Sequence, residues 1–186
     1  GVDGSAFQVL HHFNGNRGDR GNPTGALVID GDVMYGLAKP GAVFRINADG
    51  SGYEVLHTFG YSTGFAQDGE LLLDEGVLYG IAGYGGAEDG GSVFRLNTDG
   101  SDFEILHSFG TSGPGGRAPI GALVLNGDVL YGVTKYGGET DDGTVYRIGT
   151  DGSAHEVIHS FGTPTSDGRC PSGSLVHHDD LLYGLT

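Results

Sequence analysis

The 186-residue chain carries 24 Asp and Glu against 9 Lys and Arg, a formal net charge of −15. So acidic a surface repels phosphate backbones and anionic lipid heads, which excludes nucleic-acid partners and membrane insertion from the expected roles, and no run approaches the roughly 18 apolar residues of a membrane span. Glycine (38) and proline (6) are in excess, yet 37% hydrophobic residues with 9 Tyr and 9 Phe suffice for a core, while the single Cys170 excludes an intramolecular disulfide and any multi-cysteine metal site.

In chain order, the first legible segment is FQVLHHF at 7–13, which returns as YEVLHTF at 53–59, FEILHSF at 103–109 and HEVIHSF at 155–161. Its histidine falls at 11, 57, 107 and 159, so the unit repeats in steps of 46, 50 and 52 residues. A second segment reads ALVIDGDVMYGLA from Ala26, ELLLDEGVLYGIA from Glu70, ALVLNGDVLYGVT from Ala122 and SLVHHDDLLYGLT from Ser174. A third reads VFRINADG from Val43, VFRLNTDG from Val93 and VYRIGTDG from Val145. Repeats of this length made of short β-branched and aromatic runs are the mark of propeller blades.

The predicted fold is therefore all-β: one repeat domain over 1–186, a β-propeller of about four four-stranded antiparallel blades, alone or as part of a larger or oligomeric propeller. Strand D of a closing blade spans 6–13, blade 1 about 24–59, blade 2 about 69–109, blade 3 about 121–161 and a partial blade 4 about 173–186. Within blade 3 the strands fall at about 122–126 (A), 128–134 (B), 144–149 (C) and 155–161 (D). No stretch has a capped 3.6-residue apolar period, so helix is not expected. Strands A, B and D occur four times but C only three, so one C strand is expected from further chain or from another copy.

A to B turns are expected at Asp30-Gly31, Glu75-Gly76, Asn126-Gly127 and Asp179-Asp180, and C to D turns at Asp49-Gly50, Asp99-Gly100 and Asp151-Gly152. Both kinds then share one end of each blade. The longer B–C and D–A loops, such as Tyr84–Gly91 and Gly110–Pro119, share the other end and form the expected binding face. A two-residue C–D turn sets Arg45 opposite Glu54, Arg95 opposite Glu104 and Arg147 opposite Glu156, three cross-strand ion pairs. A rival turn with a glycine bulge across Asn47–Gly50 sets Arg45 opposite Tyr53 instead.

The combined motifs G-[ST]-V-[FY]-R-[IL]-N-x-D-G-S, [FY]-E-[VI]-[LI]-H-[ST]-F and L-V-x-x-G-D-x-L-Y-G-x-[TA] resemble the GloVer tandem repeat family, bacterial choice-of-anchor proteins whose copies are expected to form a β-propeller. The resemblance covers nearly the whole chain and implies a bacterial protein that is extracellular or displayed at the cell surface; no sorting tag is present in these residues. It carries over no catalytic residues. Unit one departs by shortening its B–C loop to Lys39-Pro40-Gly41, and unit two by Gln67 where the others have Pro23, Pro119 and Pro171.

On the long-loop face, Tyr84 and Tyr136 beside Arg20, Arg117 and Arg169 suit stacking plus planar hydrogen bonding to a glycan or protein ligand. Glu88 and Asp89 in one B–C loop, with Glu139, Asp141 and Asp142 in another, are oxygen ligands of the type Ca²⁺ takes; no other cofactor is expected. The repeated histidines sit in different blades, where blade-to-blade hydrogen bonding is the expected role. His177, His178, Asp179 and Asp180 occupy a hairpin that sends the two histidines to opposite faces. No nucleophile elbow, H-E-x-x-H or phosphate loop is present. The first expectation is a non-enzymatic recognition or adhesion module; the alternatives are a structural protein that self-associates by inter-chain strand completion, and a propeller hydrolase or lyase.

Overall fold

The computed structural model describes residues 3, 5, 7–15, 21–65, 69–164 and 166–186. Its strands are β1 (Pro23–Asp30), β2 (Val33–Ala38), β3 (Ala42–Asn47), β4 (Glu54–Thr58), β5 (Leu72–Asp74), β6 (Val77–Ala82), β7 (Asp89–Asn97), β8 (Glu104–Gly110), β9 (Arg117–Asn126), β10 (Val129–Tyr136), β11 (Thr144–Gly149), β12 (Glu156–Ser160), β13 (Val176–His178) and β14 (Leu181–Tyr183). They form three four-stranded antiparallel meanders, β1–β4, β5–β8 and β9–β12, and one two-stranded ladder, β13–β14. Among the described residues there is no helix, and so none long and apolar enough to cross a membrane.

Each meander follows from its turns. The A–B connections are two-residue loops: Asp30 pairs with Val33, Asp74 with Val77, Asn126 with Val129 and His178 with Leu181. In the first and third sheets the loop is thus Gly31-Asp32 and Gly127-Asp128, one residue later than the Asx-Gly pairs suggest. The C–D turn is wider than two residues. Gly50 N–H donates to the Asn47 carbonyl at 2.8 Å and Asn47 N–H to the Ser51 carbonyl at 2.9 Å, so the glycine-bulge turn forms. Arg45 nonetheless faces Glu54, because Gly52 takes a positive φ of 66° and adds one residue to the β4 side. The second and third sheets repeat this with Asp102 (φ 52°) and Ala154 (φ 54°). Two bulges cancel, and the ion-pair register returns.

The three pairs form at 2.6 Å (Arg45–Glu54), 2.7 Å (Arg95–Glu104) and 2.6 Å (Arg147–Glu156). All are substantially solvated, so each contributes under about 1 kcal/mol and chiefly pins register. The two turn types share one end of each sheet, where Ala48 N–H reaches the Asp32 carbonyl at 2.8 Å and Thr98 and Thr150 repeat the bond to Gly76 and Asp128 at 2.9 Å.

Successive sheets stack face to face. Tyr35, Leu37 and Val43 of the first pack on Leu71, Leu78, Phe94 and Leu96 of the second. Tyr79, Ile81 and Val93 of the second then meet Leu123, Leu130, Tyr146 and Ile148 of the third. A fully buried Phe or Leu in such a layer is worth about 1.5–3 kcal/mol, which makes these layers the main source of cohesion. The Tyr-Gly step of each B strand serves this packing: a Cβ on Gly36 or Gly80 would meet the ring of Phe44 or Phe94 at 2.7 and 2.5 Å.

The A strands of successive sheets touch, β1 with β5, β5 with β9 and β9 with β13. Gly69 and Gly121 make a parallel bridge there, and Gly25 lies against the Gly69 carbonyl. Among the described residues no contact joins β13 or β14 to β1. Residues 7–13, expected as a D strand, form no ladder; Ala6 lies outside the described residues. Among the described residues no C strand lies beside them. They still occupy a D-strand position by packing, with Leu10 and Phe13 against Met34, Ala38, Phe44 and Ile46.

Candidate functional site

On the long-loop side, a cleft of about 120 Å³ opens between the second and third sheets. Its walls are Gly83, Tyr84, Asp89 and Gly90 from the second sheet's B–C loop and the start of β7, Thr111 from the D–A loop, and Arg117, Ala118 and Tyr136 at the loop ends of β9 and β10. The sheet-on-sheet stacking brings these loops side by side, so Tyr84, Tyr136 and Arg117 converge although they are far apart in the chain.

Tyr84 is half exposed, and its backbone is fixed by Phe65 N–H donating to its carbonyl at 2.7 Å. The Arg117 guanidinium lies 4.5 Å above the centre of the Tyr136 ring, a cation–π contact shared with Lys135 at 5.4 Å. Its Nη2 donates to both oxygens of Asp141, at 2.7 and 3.1 Å. Asp141 also accepts the Gly137 N–H at 2.8 Å. That amide, and then Arg117, hold its carboxyl below the usual carboxylate range. The cleft thus offers one exposed ring, one braced ring and a cation already neutralised on one side.

The remaining candidates lie elsewhere. Arg169 is exposed, 3.7 Å from Asp142 and outside the cleft lining. Arg20 and Gln67 lie outside the described residues. Of the acids read as Ca²⁺ ligands, Asp89 lines the cleft, Glu88 and Glu139 are exposed, and Asp141 and Asp142 face arginines. Among the described residues no three His, Cys, Asp or Glu side chains are grouped so as to hold a metal ion. Cys170 is half-buried, its N–H donating to the Asp142 carbonyl at 2.7 Å. His177 and His178 alternate on β13 as the hairpin pattern requires.

Three of the four repeated histidines join successive units by ring stacking, and for His57 and His107 the stack stands in place of the expected blade-to-blade hydrogen bond. His11 lies on Tyr53 at 3.9 Å, His57 on Phe103 at 3.6 Å and His107 on His155 at 3.7 Å, all within 9° of parallel. Nε2 of His57 and of His155 is buried without a hydrogen-bond partner. Burial pushes both imidazoles down from their ordinary value, and His107, beside His155, falls to about 4. The stack was missed in the sequence, although each D segment shows an aromatic or imidazole ring four residues before its histidine. The cleft contributions of Thr111 and the glycines carry no such signal.

Residues 1–186 match the Gloeobacter/Verrucomicrobia repeat along their whole length. The chain belongs to that family. No curated protein matches it. Among solved structures it is similar to a chain of a nidogen/laminin complex (TM-score 0.61, 16% identity, 87% of this chain and 54% of that one). It is also similar to the computationally designed Ika4 protein (TM-score 0.57, 15% identity, 95% and 90%). TolB from Acinetobacter baumannii is a third (TM-score 0.52, 14% identity, 83% and 35%). The chain thus spans about half of the matched nidogen/laminin chain and about a third of that TolB. These likenesses show a propeller-like repeat fold.

Proposed function

We propose that this repeat chain is a non-enzymatic recognition module, extracellular or at the cell surface, which binds a glycan or a protein loop through the long-loop face. The observation that carries the reading is the convergence of Tyr84, Tyr136 and Arg117 on one cleft between two blades. An aromatic face beside a planar cation suits the edge of a sugar ring or a polar peptide side chain. Proton-transfer catalysis wants a group poised near the working pH. Asp141, whose carboxyl the Gly137 amide and then Arg117 hold below the usual carboxylate range, is not such a group. The full ring, of about four blades or more, is part of the same proposal: it would carry several such inter-blade clefts on one face.

The test is a glycan array and a displayed-peptide library probed with the wild-type chain and with Tyr84→Ala. Tyr84 is half exposed, so its truncation should leave thermal stability within about 1 °C while weakening any retrieved ligand about tenfold or more, the usual loss for an interfacial tyrosine. Equal binding by the two proteins would remove the cleft from the account.

A further inference from the structure

Among the described residues, three contacts between successive units each include one ring stack, in which the residue four positions after the Asp of the C–D turn lies flat on the preceding unit's histidine. His11–Tyr53, His57–Phe103 and His107–His155 are the three formed stacks. Among the described residues, the two halves of a fourth stand apart. His159 is 45% exposed; its ring meets Phe161 edge-on, and its Nε2 lies 2.9 Å from Asp167. Phe7 follows Asp3 at the same spacing and is 88% exposed. Asp3 and Ser5 bond as their counterparts do: Asp3 Oδ1 accepts the Ser5 N–H at 3.0 Å and its hydroxyl at 2.6 Å, as Asp49 holds Ser51 at 2.8 and 2.6 Å.

The flanking faces are complementary by the same repeat. Leu185 occupies the place of Leu37 in the blade pattern, yet it is 76% exposed where Leu37, covered by the next sheet, is 1% exposed. At the opposite end Leu27 is 49% exposed where its equivalent Leu71, covered by the preceding sheet, is 4% exposed. Beside His159 an apolar groove of about 320 Å³, walled by Val133, Ile158, Leu175 and Leu182, remains open. Between the first two sheets, rings from the next blade meet the corresponding histidine and phenylalanine: Phe103 packs on His57 and Phe59, and Phe94 on Phe59.

We propose that these ends recognise each other between chains: Phe7 of one chain stacks on His159 of a second copy and continues the blade-to-blade interface head to tail. The occupant follows from continuity with the interfaces already formed, since the surface that would receive it is the one each internal blade presents to its successor. Such a heterologous contact closes into a ring if its rotation permits and otherwise extends.

The experiment is native mass spectrometry of the 186-residue chain, of Phe7→Asp and of His159→Ala, alone and mixed. The wild type should shift from 19.2 kDa to multiples of it as concentration rises. Each variant alone should associate at least about tenfold more weakly, because each lacks one half of the stack. Phe7→Asp retains His159, and His159→Ala retains Phe7, so their mixture should give a species of twice 19.2 kDa and nothing larger. Thermal melts within about 1–2 °C of wild type would confirm that both variants fold, as expected for exposed positions. A wild type that stays at 19.2 kDa at every concentration overturns the proposal. So does a mixture that stays monomeric, which would mean the stack closes within one chain, and so does undiminished assembly of either variant.

Discussion

The His107–His155 stack makes the second blade interface sensitive to acid. The perturbation is a fall from about pH 7.5 to about pH 4.5, applied to the wild type and to His107→Phe, which keeps a ring in the stack but cannot titrate. Burial, with a smaller contribution from the facing His155, lowers the folded-state pKa of His107 from 6.5 to about 4. A depressed folded-state value means that the unfolded chain binds the proton first. Stability is therefore full above pH 6.5 and is lost progressively as pH falls from there towards about 4. The whole interval corresponds to about 3 kcal/mol at most. Because the ring is only half-buried, about 1–2 kcal/mol is expected, or roughly 2–8 °C in Tm for a chain of this size. Asp49, Asp99 and Asp151, held ionised by the serine two residues on, weaken the fold in acid as well, but equally in both proteins. The assay is urea unfolding followed by circular dichroism across the range. Wild type should lose about 1–2 kcal/mol more than His107→Phe. Parallel curves between pH 6.5 and pH 4.5 would refute the assignment of a buried, neutral imidazole at this interface.

Two further outcomes follow from the packing. Gly80→Ala should destabilise by about 1–3 kcal/mol, since the added Cβ would stand 2.5 Å from Phe94 Cζ in a layer with no room to yield; a denaturation midpoint equal to wild type would contradict that reading. Arg95→Ala should cost more than Arg147→Ala, by about 0.5–1.5 kcal/mol, because Arg95 Nη1 also donates across the blade boundary to the Thr150 carbonyl at 3.1 Å, as measured by paired urea titrations. Equal losses would reduce both arginines to register pins.

The blade pattern is legible because each strand alternates between two faces that both need apolar partners, so period and turn chemistry appear directly in the residues. The Arg–Glu register was legible too, but for a simpler turn than the one formed. The compensating bulge falls on Gly52, Asp102 and Ala154; glycine takes a positive φ freely and aspartate tolerates it, but alanine gives no such signal. Residues 7–13 share the D-strand sequence yet form no ladder, because a strand is made by its neighbour and not by its own residues. Tyr84, Tyr136 and Arg117 could be picked out by type and loop position. Their convergence depends on how one sheet sits upon the next, which no spacing within a unit encodes. Loop composition suits Asp141 to a cation, whereas its contacts with Arg117 and the Gly137 amide depend on how the loop folds.

The central claim is that recognition takes place in the cleft between the second and third blades. Amide hydrogen exchange with and without a ligand retrieved from the array or the library tests it most directly. Slowing confined to residues 83–90, 111–118 and 136–137 is the predicted result, because these segments build the cleft and its bracing. Protection centred on the opposite end, at the turns over 30–33, 49–52 or 98–102, would contradict it.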